Sequence, residues 1–322
     1  MWHRIQTAVA LIYPPRCLGC GELTESDFGL CGSCWRETPF IGGVVCESCG
    51  VPLPGVADGH RIECDDCLAV PRLWQDGRSA LLYDGKARSL VLALKHGDRP
   101  ELARPAARWL ARAGQELFRE GMLLAPVPLH WSRLLKRRYN QSALLAQHLG
   151  KEAGLEVCPD LLLRHRKTPV LDGKTATERA EVLEHAIIAH PKRQDQMQGR
   201  NILLVDDVMT SGATLAACAR VCRASGANHI SVLTLARVAK DAQFAQDYAK
   251  REGTEYETGR NLHLAAVRFL SRGQAAAEAE GRRVPGSGRS DAPQAQARDD
   301  PARRWQTNRA TDLYRCAARG RL

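Results

Sequence analysis

Two neighbouring aspartates, Asp206 and Asp207, follow an apolar run in the segment Asn201-Ile-Leu-Leu-Val-Asp-Asp-Val-Met-Thr-Ser-Gly-Ala-Thr-Leu215. The run at residues 202–205 has no polar alternation, which is typical of a strand covered on both faces. Vicinal carboxylates can accept hydrogen bonds from a ribose diol, and open α/β sheets place ligands at the carboxyl ends of their strands. The pattern therefore predicts a sugar-phosphate site, with an ordinary strand-turn-helix unit as the alternative.

A turn rich in hydroxyl groups comes directly after the two acids. Gly212 lets the backbone approach a ligand closely, and hydroxyls together with free amides at a helix N-terminus favour a phosphate. The predicted ligand-binding segment is Asp206, Asp207, Val208, Met209, Thr210, Ser211, Gly212, Ala213 and Thr214.

Four Cys-x-x-Cys pairs lie in the N-terminal part of the chain. Two thiolates with this spacing can hold one tetrahedral ion, and two such turns complete a four-thiolate zinc site. We assign one Zn²⁺ to the first two pairs and a second to the last two, that is, to Cys17, Cys20, Cys31 and Cys34 and to Cys46, Cys49, Cys64 and Cys67. A cross-braced arrangement, which joins the first pair to the third, is the alternative. Four thiolates leave no open position, so both sites are expected to be structural.

The segment around Asp206 resembles the phosphoribosyl pyrophosphate (PRPP) motif of type I phosphoribosyltransferases. The resemblance implies that Asp206 and Asp207 are the catalytic acids that hold the ribose hydroxyls, and that residues 210–214 hold the 5′-phosphate. Members of that family transfer ribose 5-phosphate to a nitrogen nucleophile and release pyrophosphate, usually with Mg²⁺. Some proteins with this motif are regulators, so the resemblance implies PRPP binding and leaves the transfer reaction open.

A double zinc ribbon ahead of a PRPP motif resembles the ComF family, which is named for a bacterial competence protein. The matching segments include Leu11-Ile-Tyr-Pro-Pro-Arg-Cys17, Tyr83-Asp-Gly85 with Leu94-Lys-His96, Pro126-Val-Pro-Leu129 with Arg137-Arg-Tyr-Asn-Gln141, and Ala236-Arg237. The resemblance implies a phosphoribosyltransferase-fold protein that binds PRPP. The alternative that it implies is a non-catalytic protein that handles single-stranded DNA during DNA uptake, beside a helicase.

Five basic residues are candidates for contact with pyrophosphate or DNA, namely Lys95, Arg137, Arg138, Lys174 and Arg179. The alternatives for these residues are a capped helix end, a solvated helix face and an exposed loop. Arg138 stands where many ComF members have Gly, and Val182 stands where they have Asn. The polar stretch from Arg164 to Lys174 fits two interpretations, a mobile loop that closes over the site and excludes water, or an exposed loop without that role.

A framework of alternating strands and helices must position these residues. The sequence predicts strands at 79–83, 122–129, 201–205 and 229–235, and helices at 87–95, 101–120, 142–153 and 212–225. Such alternation implies a mostly parallel sheet. We therefore predict an α/β protein with a type I phosphoribosyltransferase fold, in which helices flank the sheet, preceded by a small double zinc-ribbon module and followed by a disordered basic tail.

Composition divides the 322 residues into three parts. We predict an N-terminal helix and double zinc ribbon at residues 1–70, a phosphoribosyltransferase-like domain at 71–240, and a largely disordered tail at 241–322, which has few apolar residues to bury. Their formal net charges are −5, +11 and +4, so the basic excess lies in the middle part, where it suits pyrophosphate or single-stranded DNA. No apolar run reaches the ~18 residues of a membrane span, and paired reduced thiols indicate the cytoplasm.

Overall fold

The computed structural model describes residues 14–24, 29–55, 59–96, 99–166 and 186–239, which all lie in one compact unit. The predicted N-terminal helix, the tail, Lys174 and Arg179 fall outside these residues. Within the described ranges, no helix combines the length and the apolar character needed to cross a membrane.

Strands and helices alternate along most of the described chain. The strands are β1 (Asp76–Leu82), β2 (Leu123–Pro126), β3 (Glu156–Val157), β4 (Leu162–Arg164), β5 (Ile187–Ala189), β6 (Asn201–Met209) and β7 (His229–Arg237). The α-helices are α1 (Gly32–Arg36), α2 (Asp65–Ala69), α3 (Gly85–His96), α4 (Ala103–Ala113), α5 (Trp131–Arg137), α6 (Gln141–Ala153) and α7 (Ala213–Ala224). Short 3₁₀ helices cover Pro100–Leu102, Gln115–Leu117 and Gln194–Met197.

Five of these strands form a parallel sheet in the order β1-β7-β6-β2-β3, and β4 and β5 form a separate antiparallel pair. Residues of β6 alternate between the two faces of the sheet. Leu203 and Val205 pack with α3, α4 and α6, whereas Ile202 and Leu204 pack with α7, the β4–β5 pair and the second zinc ribbon. Both faces are covered, which is why the strand reads as a continuous apolar run.

One predicted helix is divided, and the strand whose prolines predict an interruption is indeed short. The helix predicted at 101–120 is divided into α4 and two 3₁₀ turns. The α-helix ends before Gly114, where an added Cβ would lie 2.6 Å from the Leu233 side chain of β7, so this turn packs closely against the sheet. The strand predicted at 122–129 keeps only Leu123–Pro126, because Pro128 has no N–H to continue the ladder.

The zinc-binding segment covers the outer edge of β1. The amide of Ile41 donates to the carbonyl of Ala80 at 2.9 Å, and the amide of Leu82 donates to Pro39 at 2.9 Å. Further along the same edge, the amide of Gly77 donates to the carbonyl of Glu47 at 2.7 Å. The segment at residues 39–41 between the two ribbons, and Glu47 of the second ribbon, are therefore joined to the sheet through backbone hydrogen bonds.

Candidate functional site

The two acids lie where the connections of the sheet diverge. The chain leaves β2 toward β3 on one side, and it leaves β6 toward β7 on the other. Ligands of open α/β sheets bind at such a switch point. The ladder between β2 and β6 ends at Pro126 and Val205, while the ladder between β6 and β7 continues to Met209 and Arg237. The strand end predicted at Val205 is thus correct on the β2 side, and β7 extends the strand beyond the acids on the other.

Asp206 is held by the start of α6. Ser142 Oγ donates to Asp206 Oδ1 at 2.8 Å, and the amide of Asp207 donates to the same oxygen at 2.9 Å. Burial and the adjacent charge of Asp207 raise the pKa of Asp206 to about 7, although these hydrogen bonds and Lys95 oppose the shift. The Asp206 carboxyl group therefore titrates near neutral pH.

Asp207 is paired with a lysine from the last turn of α3. Lys95 Nζ lies 3.2 Å from Asp207 Oδ1, so this predicted contact residue is at the site. The end of α3 is fixed by residues at the start of α6 and just before it, because the hydroxyl of Tyr139 donates to the carbonyl of Leu94 at 2.6 Å and Gln141 Nε2 donates to the carbonyl of Lys95 at 3.3 Å. These two hydrogen bonds hold Lys95 opposite the acid.

The turn between β6 and α7 places a glycine and several backbone amides at the start of a helix. Gly212 has φ +81° and precedes α7, whose first amides lack partners within the helix. The hydroxyl of Ser211 accepts a hydrogen bond from the amide of Ala213 at 3.4 Å. An added Cβ at Gly212 would lie 3.0 Å from Trp74, so glycine is required both for the backbone conformation and for the close packing.

Arg137 and Arg138 lie at the end of α5. Arg137 Nη1 donates to Gln141 Oε1 at 3.3 Å, which places it beside the segment that holds α3. Arg138 is exposed and terminates α5 in the left-handed conformation, with φ +66°. A left-handed helix end is a position that favours glycine, which explains why many ComF members have Gly there.

Arg164 differs from its prediction as part of a polar mobile loop. It belongs to β4 and its side chain is buried. Burial and the nearby positive charge of Arg133 lower the pKa of Arg164, while the negative charge of Asp206 opposes that effect. The buried Arg164 guanidinium group is therefore part of the electrostatic surroundings of Asp206.

Each group of four cysteines brings its sulfur atoms together. All four Sγ atoms lie within 4.8 Å of one another in the first group (Cys17, Cys20, Cys31 and Cys34) and likewise in the second (Cys46, Cys49, Cys64 and Cys67). The separations of Cys20 from Cys31 and of Cys49 from Cys64 are 3.7 Å, close to the ~3.8 Å edge of a tetrahedron with Zn–S bonds of ~2.3 Å. The sequential pairing is confirmed, and both donor sets suit structural zinc.

Three contacts around the site were not anticipated from the sequence. Ser142 was seen only as a helix residue, and neither Arg72 nor Arg237 was considered a candidate. Arg72 Nη1 donates to the carbonyl of Ser211 at 2.8 Å, and Arg237 Nη1 donates to the carbonyl of Thr210 at 2.7 Å. A signal for Arg237 was present, since Ala236-Arg237 was one of the matching segments.

Comparison with known proteins agrees with this architecture. The double zinc ribbon domain family matches residues 8–68. DNA utilization protein YhgH of Escherichia coli (strain K12) is 30% identical over 233 residues, which are 70% of this chain and 99% of that protein. Competence protein F of Haemophilus influenzae is 28% identical over 228 residues, which are 69% of this chain and 96% of that protein.

Among solved structures, a hypoxanthine-guanine phosphoribosyltransferase of Bacillus anthracis is similar at 16% identity and a TM-score of 0.29, over 43% of this chain and 70% of that one. The family assignment rests on the relative matched over nearly its full length, together with the double zinc ribbon and the parallel sheet flanked by helices. The fold class predicted from the sequence is confirmed, and the chain belongs to the ComF family.

Proposed function

We propose that this protein binds PRPP or a related ribose 5-phosphate ligand at Asp206, Asp207 and the phosphate loop, the name used here for residues 210–214. One observation carries the proposal: two acids at the switch point of the sheet lead into a glycine turn at the N-terminus of α7. The carboxylates suit the ribose hydroxyls, and the amides of the turn suit the 5′-phosphate.

Lys95 gives the site a group for the pyrophosphate. In the protein without ligand, the Lys95 ammonium group is paired with Asp207 at 3.2 Å. When the ribose hydroxyls bind the Asp207 carboxylate, the ammonium group becomes free to contact the pyrophosphate oxygens. Mg²⁺ is expected to accompany PRPP, because it is commonly bound by one or two carboxylates together with substrate phosphates. Arg137 is close enough to α6 to add positive charge at the same end of the site.

Calorimetric titration of PRPP with Mg²⁺ tests the binding proposal. The double variant Asp206→Asn, Asp207→Asn is expected to lose at least ~100-fold in affinity, since charge-assisted hydrogen bonds contribute about 1.5–3 kcal/mol each. Asp195→Asn is the matched control, because Asp195 is exposed and precedes β6; its affinity should equal that of the wild type. No binding by the wild type would refute the proposal.

Transfer of the phosphoribosyl group is a further step of the same proposal. In that reaction the bond from C1′ to the pyrophosphate oxygen breaks, a bond from C1′ to an acceptor nitrogen forms, and pyrophosphate leaves. One acidic group stabilises the developing ribosyl cation. Pyrophosphate release in the presence of nitrogenous acceptors, and not in their absence, would identify a transferase, whereas binding without release would identify a binding protein.

Handling of single-stranded DNA is the second candidate function, and α5 favours it. Trp131 is 64% exposed and Leu135, one helical turn later, is 71% exposed, while Arg133 and Arg138 belong to the same segment. An exposed aromatic ring beside positive charge can stack on a base and neutralise the adjoining phosphates. The names of the relatives, which refer to DNA utilization and competence, suit this role in the cytoplasm and in DNA uptake, where a helicase is the expected partner.

Anisotropy of a labelled single-stranded oligonucleotide tests this second function. Trp131→Ala is expected to weaken binding by at least ~5-fold, the smaller end of the effect of losing one stacked base. Leu23→Ala is the matched control, because Leu23 is similarly exposed, at 63%, on the first ribbon. Equal affinities for wild type and Trp131→Ala, or binding that does not depend on salt, would argue against DNA binding through α5.

A further inference from the structure

We propose that the second zinc site (Cys46, Cys49, Cys64 and Cys67) positions the phosphate loop through Arg72 and Arg237, and that zinc occupancy of this site alone sets the affinity of the loop for a phosphorylated ligand. The ligand part of this inference rests on the function proposed above. The geometric part does not rest on that function, because it concerns how firmly the backbone of residues 210–214 is held in the protein without ligand.

Arg72 connects a cysteine ligand to the loop directly. Its Nε donates to Cys67 Sγ at 3.2 Å, and its Nη1 donates to the carbonyl of Ser211 at 2.8 Å. A guanidinium group is planar and rigid, so fixing one of its nitrogens fixes the direction of the others. The position of the Cys67 sulfur therefore sets the position of Ser211.

Arg237 makes a second connection from the end of β7. Its side chain is buried, and its Nη1 donates to the carbonyls of Met209 at 3.2 Å and Thr210 at 2.7 Å. Its Nη2 lies 3.9 Å from Cys49 Sγ, within reach of a long hydrogen bond to sulfur. Two different thiolates of one metal site thus face the two arginines that hold consecutive carbonyls of the loop.

Trp74 fills the space between the same two parts of the molecule. Its indole N–H donates to the carbonyl of Ser48, which lies between two zinc ligands, at 2.6 Å. The far edge of its ring packs closely on Gly212, since a Cβ added to Gly212 would lie 3.0 Å from that edge. The guanidinium carbon of Arg72 lies 5.7 Å from the centre of the Trp74 ring, so the tryptophan also supports the arginine.

Charge explains why the metal is needed for these connections. Four thiolates around one Zn²⁺ carry a net charge of about −2, and two guanidinium groups balance that charge in an interior where unpaired ions are costly. Hydrogen bonds to ligating sulfurs of this kind tune and orient a metal site. When the metal leaves, the sulfurs separate and the arginines lose the anchor that orders the loop.

The first zinc site offers an internal control. Its described polar contacts include Arg16, which donates to Gly21 at 3.0 Å, and Arg99, which donates to Leu18 at 3.0 Å. None of these residues belongs to the loop or to the strands that carry it. The proposal therefore predicts that the two zinc sites differ in their effect on residues 210–214.

Hydrogen exchange on the full chain tests the geometric part without any ligand. Cys64→Ser is chosen because Cys64 belongs to the second site without being the sulfur nearest to Arg72 or Arg237. Amides of residues 210–214 are expected to exchange at least ~10-fold faster in this variant, the size of one lost charge-assisted hydrogen bond. Cys31→Ser, the corresponding change in the first site, should leave their exchange within about twofold of the wild type.

Arg72→Lys tests the same connection with both metals retained. Lysine keeps the charge but cannot span two acceptors, so the loop amides should again exchange at least ~10-fold faster while the zinc content stays at two per chain. Arg16→Lys, at the first site, is the matched control. This variant also decides the matter if Cys64→Ser fails to fold.

The ligand part is tested by thermodynamic linkage. If the second site and the loop are coupled, ribose 5-phosphate must raise the zinc affinity of that site by the same factor by which zinc raises the affinity of the loop for ribose 5-phosphate. The zinc affinity of Cys31→Ser, which retains the second site, should rise with the ligand, and that of Cys64→Ser, which retains only the first, should not. A purely structural role for zinc would not produce this dependence on ligand.

The outcomes separate the two proposals. Unchanged loop exchange in both Cys64→Ser and Arg72→Lys, or equal changes in the variants of the two sites, would overturn the coupling. Faster exchange together with no binding of ribose 5-phosphate or PRPP by the wild type would support the connection between zinc and loop while refuting the proposed ligand.

Discussion

Arg138 has a strained backbone conformation at a position where many ComF members have Gly. Among the described residues it is the only one other than glycine with positive φ, at +66°. The left-handed conformation brings Cβ too close to the following carbonyl oxygen, which costs about 1–2 kcal/mol. The chain carries that cost at the junction of α5 and α6.

Replacing Arg138 with Gly is therefore expected to stabilise the protein by about 1 kcal/mol. Arg138→Ala removes the same side chain but keeps the strained backbone, so it separates the backbone effect from the loss of side-chain contacts. The measurement is the free energy of unfolding by urea with zinc present. If the Gly variant is no more stable than the Ala variant, backbone strain at this position is absent.

The raised pKa of Asp206 predicts that the stability of the protein depends on pH. Its pKa rises to about 7 from an ordinary value of 3.8, chiefly because of burial and then because of Asp207. Between these values the folded state holds a proton that the unfolded state has lost. The contribution of Asp206 to stability consequently falls as pH rises from about 4 to about 7, and it stays low above that range.

Asp206→Asn should abolish that dependence, because the amide is neutral at every pH in the range. Relative to the wild type, the variant is expected to gain at least about 1 kcal/mol between about pH 5 and pH 8. Urea unfolding at both pH values gives the comparison, with Asp195→Asn as the control for a general effect of removing an acid. A difference that stays constant with pH would contradict the raised pKa.

At the scale of elements, the start of α6 and the two residues before it tie three parts of the site together. Tyr139 and Gln141 hold the end of α3, and Ser142 holds Asp206. Asn140 caps α6 and donates to the carbonyl of Val127 beyond β2 at 3.1 Å. The similarity of this segment to the ComF pattern thus has a mechanical basis, since it sets the distance between Lys95 and the acids.

Tyr139→Phe removes one of these ties. The carbonyl of Leu94 would lose a buried hydrogen bond of 2.6 Å, at an expected cost of about 1–2 kcal/mol in stability. Binding of PRPP should weaken several-fold as well, because Lys95 is the next residue. Tyr83→Phe, which changes a tyrosine packed against the same core cluster, is the control, and equal losses in the two variants would contradict this role of Tyr139.

Elements with strong local patterns were predictable, and their ends were not. The run before Asp206 identified β6, but its extension to Met209 depends on β7 pairing beyond the reach of β2. In the same way, the helical pattern after Leu102 did not reveal the end of α4 before Gly114, a turn that packs closely against Leu233, a residue far along the chain. Local propensity sets the type of an element, and tertiary contacts set its limits.

At the scale of the whole molecule, spacing was enough to predict the two metal sites and their order along the chain. The connection between metal and loop could not be predicted, because its contacts join residues 139 positions apart for Arg72 and Ser211, and 188 apart for Arg237 and Cys49. The division into parts at residues 70 and 240 stays a prediction. The hydrogen bonds across the first boundary show, however, that the ribbons and the sheet share one interior.

The backbone bonds from residues 39–47 to β1 have a consequence for the behaviour of the chain outside its native context. They shield a row of peptide groups that would otherwise attract a strand from another molecule. A fragment that begins at Gln75 would expose that row and invite self-association into oligomers and aggregates. By covering this edge, the N-terminal region is therefore expected to prevent the sheet from associating with other molecules.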